Sequence, residues 1–381
     1  MRRWPRRRLT LPIALVAAAI AGVAWGGHEV PVYPSYYPHE ITIETMPPER
    51  AGALLRDAKI QAYVGAEPSF GGDRPAAIRT VASLGDFVVV RANKASAAMT
   101  EEGAACAAAA SVARDMDGKP GFILHPYPVT PFHGDYLYHA DRAEAALTRL
   151  RQTGPAPPAP RVRVAGALAG LVRPEWRTDG PDWDVSVEAV DAAGLVAATR
   201  VSIDGWLGPP WLKSGWFHAV RLLADAIDDP AARLRIDGLV EQIELGAYWD
   251  LVHRINLERD VVAALTAGCR ALVAGYTLRQ HAFSAEFTNG IENIGFDSIE
   301  GFNSPMFIRT VKLKDFPWNG WLALGVDGSP AAAWNPIAGF DDGFGRLLWS
   351  AVGDPALLPQ PYDAGWMLNR ISDVQENAGS R

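Results

Sequence analysis

Three histidines, an aspartate and four aromatic rings fall within the fifteen residues His125-Pro-Tyr-Pro-Val-Thr-Pro-Phe-His-Gly-Asp-Tyr-Leu-Tyr-His139. Imidazoles ligate copper or zinc and carry protons near neutral pH, and phenols serve as redox or acid partners. His125, His133 and His139 are therefore candidate metal ligands, with Asp135 and Asp141 placed to orient their rings from behind. Tyr127, Asp135, Tyr136 and Tyr138 are candidate contacts to a small ligand. Pro126, Pro128 and Pro131 fix φ and remove backbone donors, so the stretch is expected to be a stiff, non-helical loop. The histidine spacings match no zinc-finger or zincin pattern, and the bland use of the same side chains is to hydrogen-bond the backbone of that loop.

Other constellations are looser. Glu286, Glu292 and Asp297, with Asn289, Asn293 and Asn303 nearby, offer oxygens for calcium or paired carboxylates for acid–base work, but no Asp-x-Asp-x-Asp-Gly loop is present. Their bland use is to satisfy the turns of a polar segment that also holds Tyr276, Arg279, His281 and Arg309. Asp341-Asp342-Gly343 reads as a turn leading into a regular element. Gly-x-Gly-x-x-Gly, Gly-x-x-x-x-Gly-Lys, Gly-x-Ser-x-Gly and His-Glu-x-x-His are all absent, which leaves phosphate cradles, hydrolase elbows and zincins without support.

The elements that must position these residues read as follows. Glu40 to Glu44 alternates as a strand, Pro48 to Lys59 has helical spacing with a proline suited to a first turn, and Ile60 to Val64 is a second strand. Phe87 to Arg91 is a buried strand and Glu101 to Met116 an alanine-rich helix. Gly121 to Leu124 is a strand that delivers the chain into the histidine loop. Alternating strands and helices predict an α/β domain, and loops at the carboxyl ends of its strands line a crevice. Thr153 to Pro160, with four prolines in eight residues, reads as a semi-rigid linker. Beyond it, Val162 to Val172 and Trp183 to Ile203 read as strands, the second with a hairpin turn at Asp191-Ala-Ala-Gly194. Ser214 to Ala274 reads as mainly helical, and the chain from Gly275 onward as a loop-rich tail; nine of the 13 tryptophans follow residue 200. The expected division is thus an N-terminal segment 1–27, an α/β domain 28–152, a linker 153–160 and an α+β domain 161–381.

The run Pro48-Glu-Arg-Ala-Gly-Ala-Leu-Leu-Arg-Asp-Ala-Lys-Ile-Gln-Ala-Tyr-Val-Gly-Ala-Glu-Pro68, followed by Ile78-Arg-Thr-Val-Ala82 and Phe87-Val-Val-Val90, resembles a segment of type II periplasmic substrate-binding proteins. The resemblance covers about residues 40–113. It implies an α/β ligand lobe, export, and a role in transport or sensing, and it assigns no ligand residue.

The N-terminus supports export independently. Met1 to Arg8 carries five arginines and Leu9 to Gly27 is uncharged and apolar apart from Thr10, the layout of a signal peptide or, uncleaved, of an anchor. Without those five arginines the formal charge falls from −7 to −12, which argues against nucleic-acid partners. Cys106 and Cys269, the two cysteines, are either a disulfide suited to an oxidising compartment or two buried thiols. The leading expectation is an exported, periplasmic binding or accessory protein that holds a small molecule or metal ion near the His125–His139 loop. The alternatives are a periplasmic metalloenzyme using copper or zinc at the same histidines, and a structural subunit with an envelope protein partner. Membrane contact is expected only through the N-terminal segment.

Overall fold

The computed structural model describes residues 38–373 apart from 102, 155–158, 200–209, 315–319, 332–339, 341, 354–355 and 370. The N-terminal segment 1–27 and residues 155–158 of the Pro-rich linker lie outside the described residues. The described elements run β1 (Glu40–Thr45), α1 (Pro48–Arg56), β2 (Ala62–Val64), β3 (Ile78–Ala92), α2 (Ala104–Met116), β4 (Phe122–Leu124) and α3 (Ala140–Gln152). Then come β5 (Val162–Val164), β6 (Val185–Asp191), α4 (Ala192–Thr199), α5 (Gly215–Leu223), α6 (Pro230–Glu244) and α7 (Leu251–Leu265). The chain continues through β7 (Ala271–Ser284), β8 (Ile291–Asn293), α8 (Pro305–Thr310), β9 (Lys312–Leu313), β10 (Trp321–Val326), α9 (Gly343–Val352), β11 (Leu357–Pro359) and β12 (Trp366–Leu368). Among the described residues no helix is long and apolar enough to cross a membrane.

Eight strands form one mixed sheet in the order β1-β10-β2-β7-β3-β6-β5, with β4 also paired to β7. The organising feature is the length of β3 and β7, 15 and 14 residues, which run antiparallel from Ile78↔Ser284 to Arg91↔Ala271. β2 pairs β7 only near the far end, at Ala62↔Phe283, whereas β6 pairs the second half of β3, from Asp86 to Ala92. The sheet therefore has two halves joined by two crossing strands. The register slips between Leu84 and Phe87, a bulge that bends the ladder where the halves meet. Gly85 sits at that slip, where a Cβ would lie 2.7 Å from Thr277 Oγ1.

Each half is covered on both faces, and β3 reads as an unbroken apolar run over residues 87–90. In its second half Phe87 and Val89 point into a core shared with α5 and α7, and Val88 and Val90 into one shared with α2. In the other half β2, β10, α8 and α9 enclose one core around Phe302, Phe307 and Leu324, and α1 covers the opposite face through Leu55, in one core with Tyr63 of β2. Cys106, at the start of α2, is joined to Cys269, in the turn between α7 and β7, across 163 residues.

The fold is mixed α/β, and the sheet takes β1–β4 from before residues 153–160 and β5–β7 and β10 from after them, so that stretch does not coincide with a division of the sheet. Three local expectations are corrected. Asp191-Ala-Ala-Gly194 does not turn a hairpin: Asp191 accepts hydrogen bonds from the amides of Ala193 and Gly194 and so caps α4, whose alanines favour a helix. The strand expected over Val162 to Val172 stops at Val164 and gives way to a 3-10 turn over Gly166–Leu171. The loop-rich tail does not begin at Gly275, because Ala271–Ser284 is a central strand, buried between neighbours on both sides. Gly275 is tolerated there because a Cβ would lie 2.0 Å from the Ile123 carbonyl oxygen of β4.

Candidate functional site

The histidine loop leaves β4 as expected, but its three imidazoles are turned inward and each is hydrogen-bonded through at least one nitrogen, while His139 Nε2 is buried without a partner among the described residues. His125 Nε2 lies 2.8 Å from the Val129 carbonyl oxygen, and its ring packs on Tyr136 and Tyr276. Burial holds its pKa below the ordinary value, against the pull of that carbonyl. His133 is fully buried, and its Nδ1 accepts the amide N–H of Thr130 at 2.8 Å. That fixes the ring proton on Nε2, which donates to Nδ1 of the equally buried His218 on α5 at 2.9 Å. The proton of His218 is then on its own Nε2, which has no hydrogen-bond partner among the described residues. Burial keeps both rings neutral: it presses His218 down to about 4, and lowers His133 first by desolvation and then through His218. His139 Nδ1 pairs with the hydroxyl of buried Tyr127 at 2.9 Å, with its pKa down at about 4 through burial and then Arg259. Burial likewise pushes the Tyr127 phenol up.

Asp135 reaches out of the loop to cap another element. Both of its oxygens lie 3.0 Å from the Gly215 amide, so Asp135 serves α5 as the cap that the side chain of Ser214 does not supply. Burial raises its pKa to about 6 against these amides. Gly215 allows the close approach, since a Cβ there would lie 2.4 Å from Val129 Cγ1. Tyr138 is exposed and its carbonyl accepts from Arg259, which also forks onto both oxygens of Asp141 at 2.8 and 2.7 Å. The three histidines do not share a centre, and among the described residues no group of three or more His, Cys, Asp or Glu side chains is arranged to hold a metal ion. Each ring instead ties a different part of the loop to its surroundings.

The looser carboxylates also follow their bland reading. Glu286 accepts the amides of Thr288 and Asn289. Asp297 accepts those of Ile299 and Glu300 and forms a buried ion pair with Lys213 at 2.5 Å. Asp342 caps α9 through the Gly345 amide.

Unpaired space occurs where the two halves of the sheet meet. A cavity of about 220 Å³ is lined by Gly65 at the end of β2, Asp191 and Gly194 at the start of α4, Arg279 and His281 in the middle of β7, and Glu300, Asn303, Phe344 and Arg346 opposite. Its walls thus come from both halves, and the amino ends of α4 and α9 open onto it. Arg279 pairs with Asp191 at 2.8 Å, and Asp86, the register neighbour of Asp191, lies beside them. Burial and then Asp191 raise the pKa of Asp86, with Arg279 opposing. His281 is buried and hydrogen-bonded to Ser83 at 2.8 Å, and burial presses its pKa to about 4. Asn303 Oδ1 is buried without a partner among the described residues.

Two glycines make this geometry. Gly65, at φ +103°, lets the chain leave β2 beneath Phe344, whose ring a Cβ would meet at 2.9 Å. Gly301, at φ +62°, lies where a Cβ would fall 2.0 Å from His281 Nε2. Sequence reasoning had Arg279, His281 and Asn303 among a polar segment but missed Asp191, Glu300 and Arg346. Nothing local marks these three, since they lie in separate elements that only the crossing strands bring together.

No protein-family model and no curated protein matches the sequence. Solved structures align with it at low similarity. An ABC transporter substrate-binding protein from Sinorhizobium meliloti aligns at 15% identity and TM-score 0.39, covering 66% of this chain and 57% of that one. NikA from Brucella suis, solved with Fe(III)-EDTA, aligns at 13% identity and TM-score 0.37, covering 66% and 58%. The periplasmic binding protein DppA from Helicobacter pylori, solved with the peptide STSA, aligns at 11% identity and TM-score 0.37, covering 70% and 55%. The chain spans little more than half the length of each of these proteins, and its resemblance to periplasmic substrate-binding proteins is partial.

Proposed function

We propose that this chain is an exported, non-catalytic binding protein that takes a small polar ligand in the cavity between the two halves of the sheet, rather than at the histidine loop. One observation carries the reading: a cavity lined from both halves holds Asp191, Arg279, Glu300 and Arg346 together, two carboxylates and two guanidiniums. That composition suits a ligand bearing both charges, such as an amino acid or short peptide, with its carboxylate met by a guanidinium fork and its ammonium by a carboxylate. The buried Asn303 Oδ1 offers an acceptor for a ligand N–H. The arginine-rich, then apolar, N-terminal sequence supports export.

The test is a thermal-shift and calorimetric panel of glutamate, arginine and alanyl-alanine on the purified chain. At least one is expected to raise the melting temperature, since a ligand at a hundredfold over its Kd adds about 2.7 kcal/mol. Arg279→Ala should abolish that shift. Absence of binding by all three at millimolar concentration, or binding indifferent to Arg279→Ala, overturns the reading.

A further inference from the structure

A second cavity, of about 270 Å³, lies between α2, α3 and the start of β7 and shares no lining residue with the first. Its walls are apolar: the Cys106–Cys269 disulfide, Ala110, Ala146, Leu150, Leu223 and Val273, with Pro126 and Pro128 of the histidine loop at one side. Protein interiors normally close on such space, because an unfilled cavity forfeits contacts. Here closure is opposed. The disulfide holds its two Cα atoms 4.9 Å apart, tying α2 to the turn before β7. Two prolines stiffen the facing loop. The alanines at 110 and 146 are too short to fill what remains.

The rim carries one charged side chain, Arg149, in the last turn of α3. It is exposed, and among the described residues its guanidinium makes no hydrogen bond or ion pair. The two hydroxyls at the rim are already used: Thr153 donates to the Arg149 carbonyl at 2.9 Å and Thr266 to the Val262 carbonyl at 2.7 Å. A mainly apolar slot with a single charged side chain, Arg149, on its lining is complementary to a molecule with an apolar body and one anionic end. We propose that this cavity binds a small amphipathic carboxylate, with its alkyl or aryl body against the disulfide and its carboxylate on Arg149. The guanidinium fork matches a carboxylate in two parallel hydrogen bonds, and an apolar cavity of this kind accepts hydrocarbon in place of water.

The experiment is isothermal titration of the full chain, disulfide intact, with octanoate, and with octanol and octylamine as comparators. Octanoate is expected to bind at one equivalent and more tightly than octylamine. Arg149→Gln, a surface change that leaves the fold alone, should weaken octanoate roughly tenfold or more while sparing octanol. Ala110→Leu, which fills the slot, should weaken both, and Arg279→Ala in the other cavity should change neither. No octanoate binding at millimolar concentration overturns the proposal. So does octanoate affinity unmoved by Arg149→Gln, or octylamine binding as tightly as octanoate.

Discussion

The histidine loop and the crossing cavity are opposites. The loop concentrates chemically capable side chains within fifteen consecutive residues, yet it spends them on itself and on α5: His125 on Val129, His133 on Thr130 and His218, His139 on Tyr127, Asp135 on Gly215. The cavity draws its polar groups from four separate stretches of chain and sets them around open space, with Arg279 and Asp191 paired to each other. Local density of functional groups here goes with local pairing. Buried polar groups must be paired, and a dense loop pairs its own most readily. Groups from distant elements meet only at a junction, where strand ends and helix ends leave a gap between them.

If the loop is a clasp, changes around it should cost stability and leave ligand binding intact. The largest effect is expected at Lys213, just before α5, whose ammonium pairs with Asp297 and also donates to the Gln360 carbonyl. Lys213→Met strands a buried carboxylate and should destabilise the fold by about 3–5 kcal/mol in denaturant titrations. His133→Ala orphans the Thr130 amide and opens a void beside Phe87, and should cost about 2–4 kcal/mol. Loss of ligand binding by a folded His133→Ala chain, to the extent seen for Arg279→Ala, would break the comparison.

The pH dependence sharpens it further. Burial raises Glu258 on α7 to about 7, with Arg254 opposing, so the fold holds that proton more tightly than the unfolded chain does. The stability tied to the protonated carboxyl is therefore complete below the unfolded value and is lost as pH rises through about 7. Glu258→Gln should remove that alkaline decline, a gain on the order of 1–3 kcal/mol at pH 8 measured by chemical denaturation. His139 and His218 act with the opposite sign: held near 4, they favour the fold above the unfolded histidine value, and their contribution is lost as pH falls toward 4. The acid limb of the profile should therefore survive Glu258→Gln unchanged.

The smallest stability effect belongs to the cavity. Arg279 and Asp191 are 30% and 47% exposed, so Arg279→Ala should cost less than about 1 kcal/mol while abolishing the ligand-induced shift. A larger loss of stability would mean that the pair is a structural tie, as the loop's pairs are.

Much of the first hundred and fifty residues was legible. The strands at Glu40–Thr45, Ala62–Val64 and Phe122–Leu124 and the helices at Pro48–Arg56 and Ala104–Met116 follow from alternation, a first-turn proline and alanine content. Legibility fell after residue 160 because the deciding signals were tertiary. Asp191-Ala-Ala-Gly194 has the composition of a turn, and only the placement of the Asp191 carboxylate over two amides makes it a helix start. Gly275 reads as a break until a neighbouring strand occupies the space its side chain would fill.

What the sequence by itself determined is local: which stretches bury one face or two, where prolines stiffen the chain, and that two cysteines were free to pair in an oxidising compartment. Those properties depend on neighbours a few residues away. Tertiary structure alone decided that the histidines are struts, that Cys106 and Cys269 close a loop of 163 residues, and that Asp191, Arg279, Glu300 and Arg346 surround one cavity. The physical reason is the pairing of β3 with β7, which brings together side chains that no local periodicity connects.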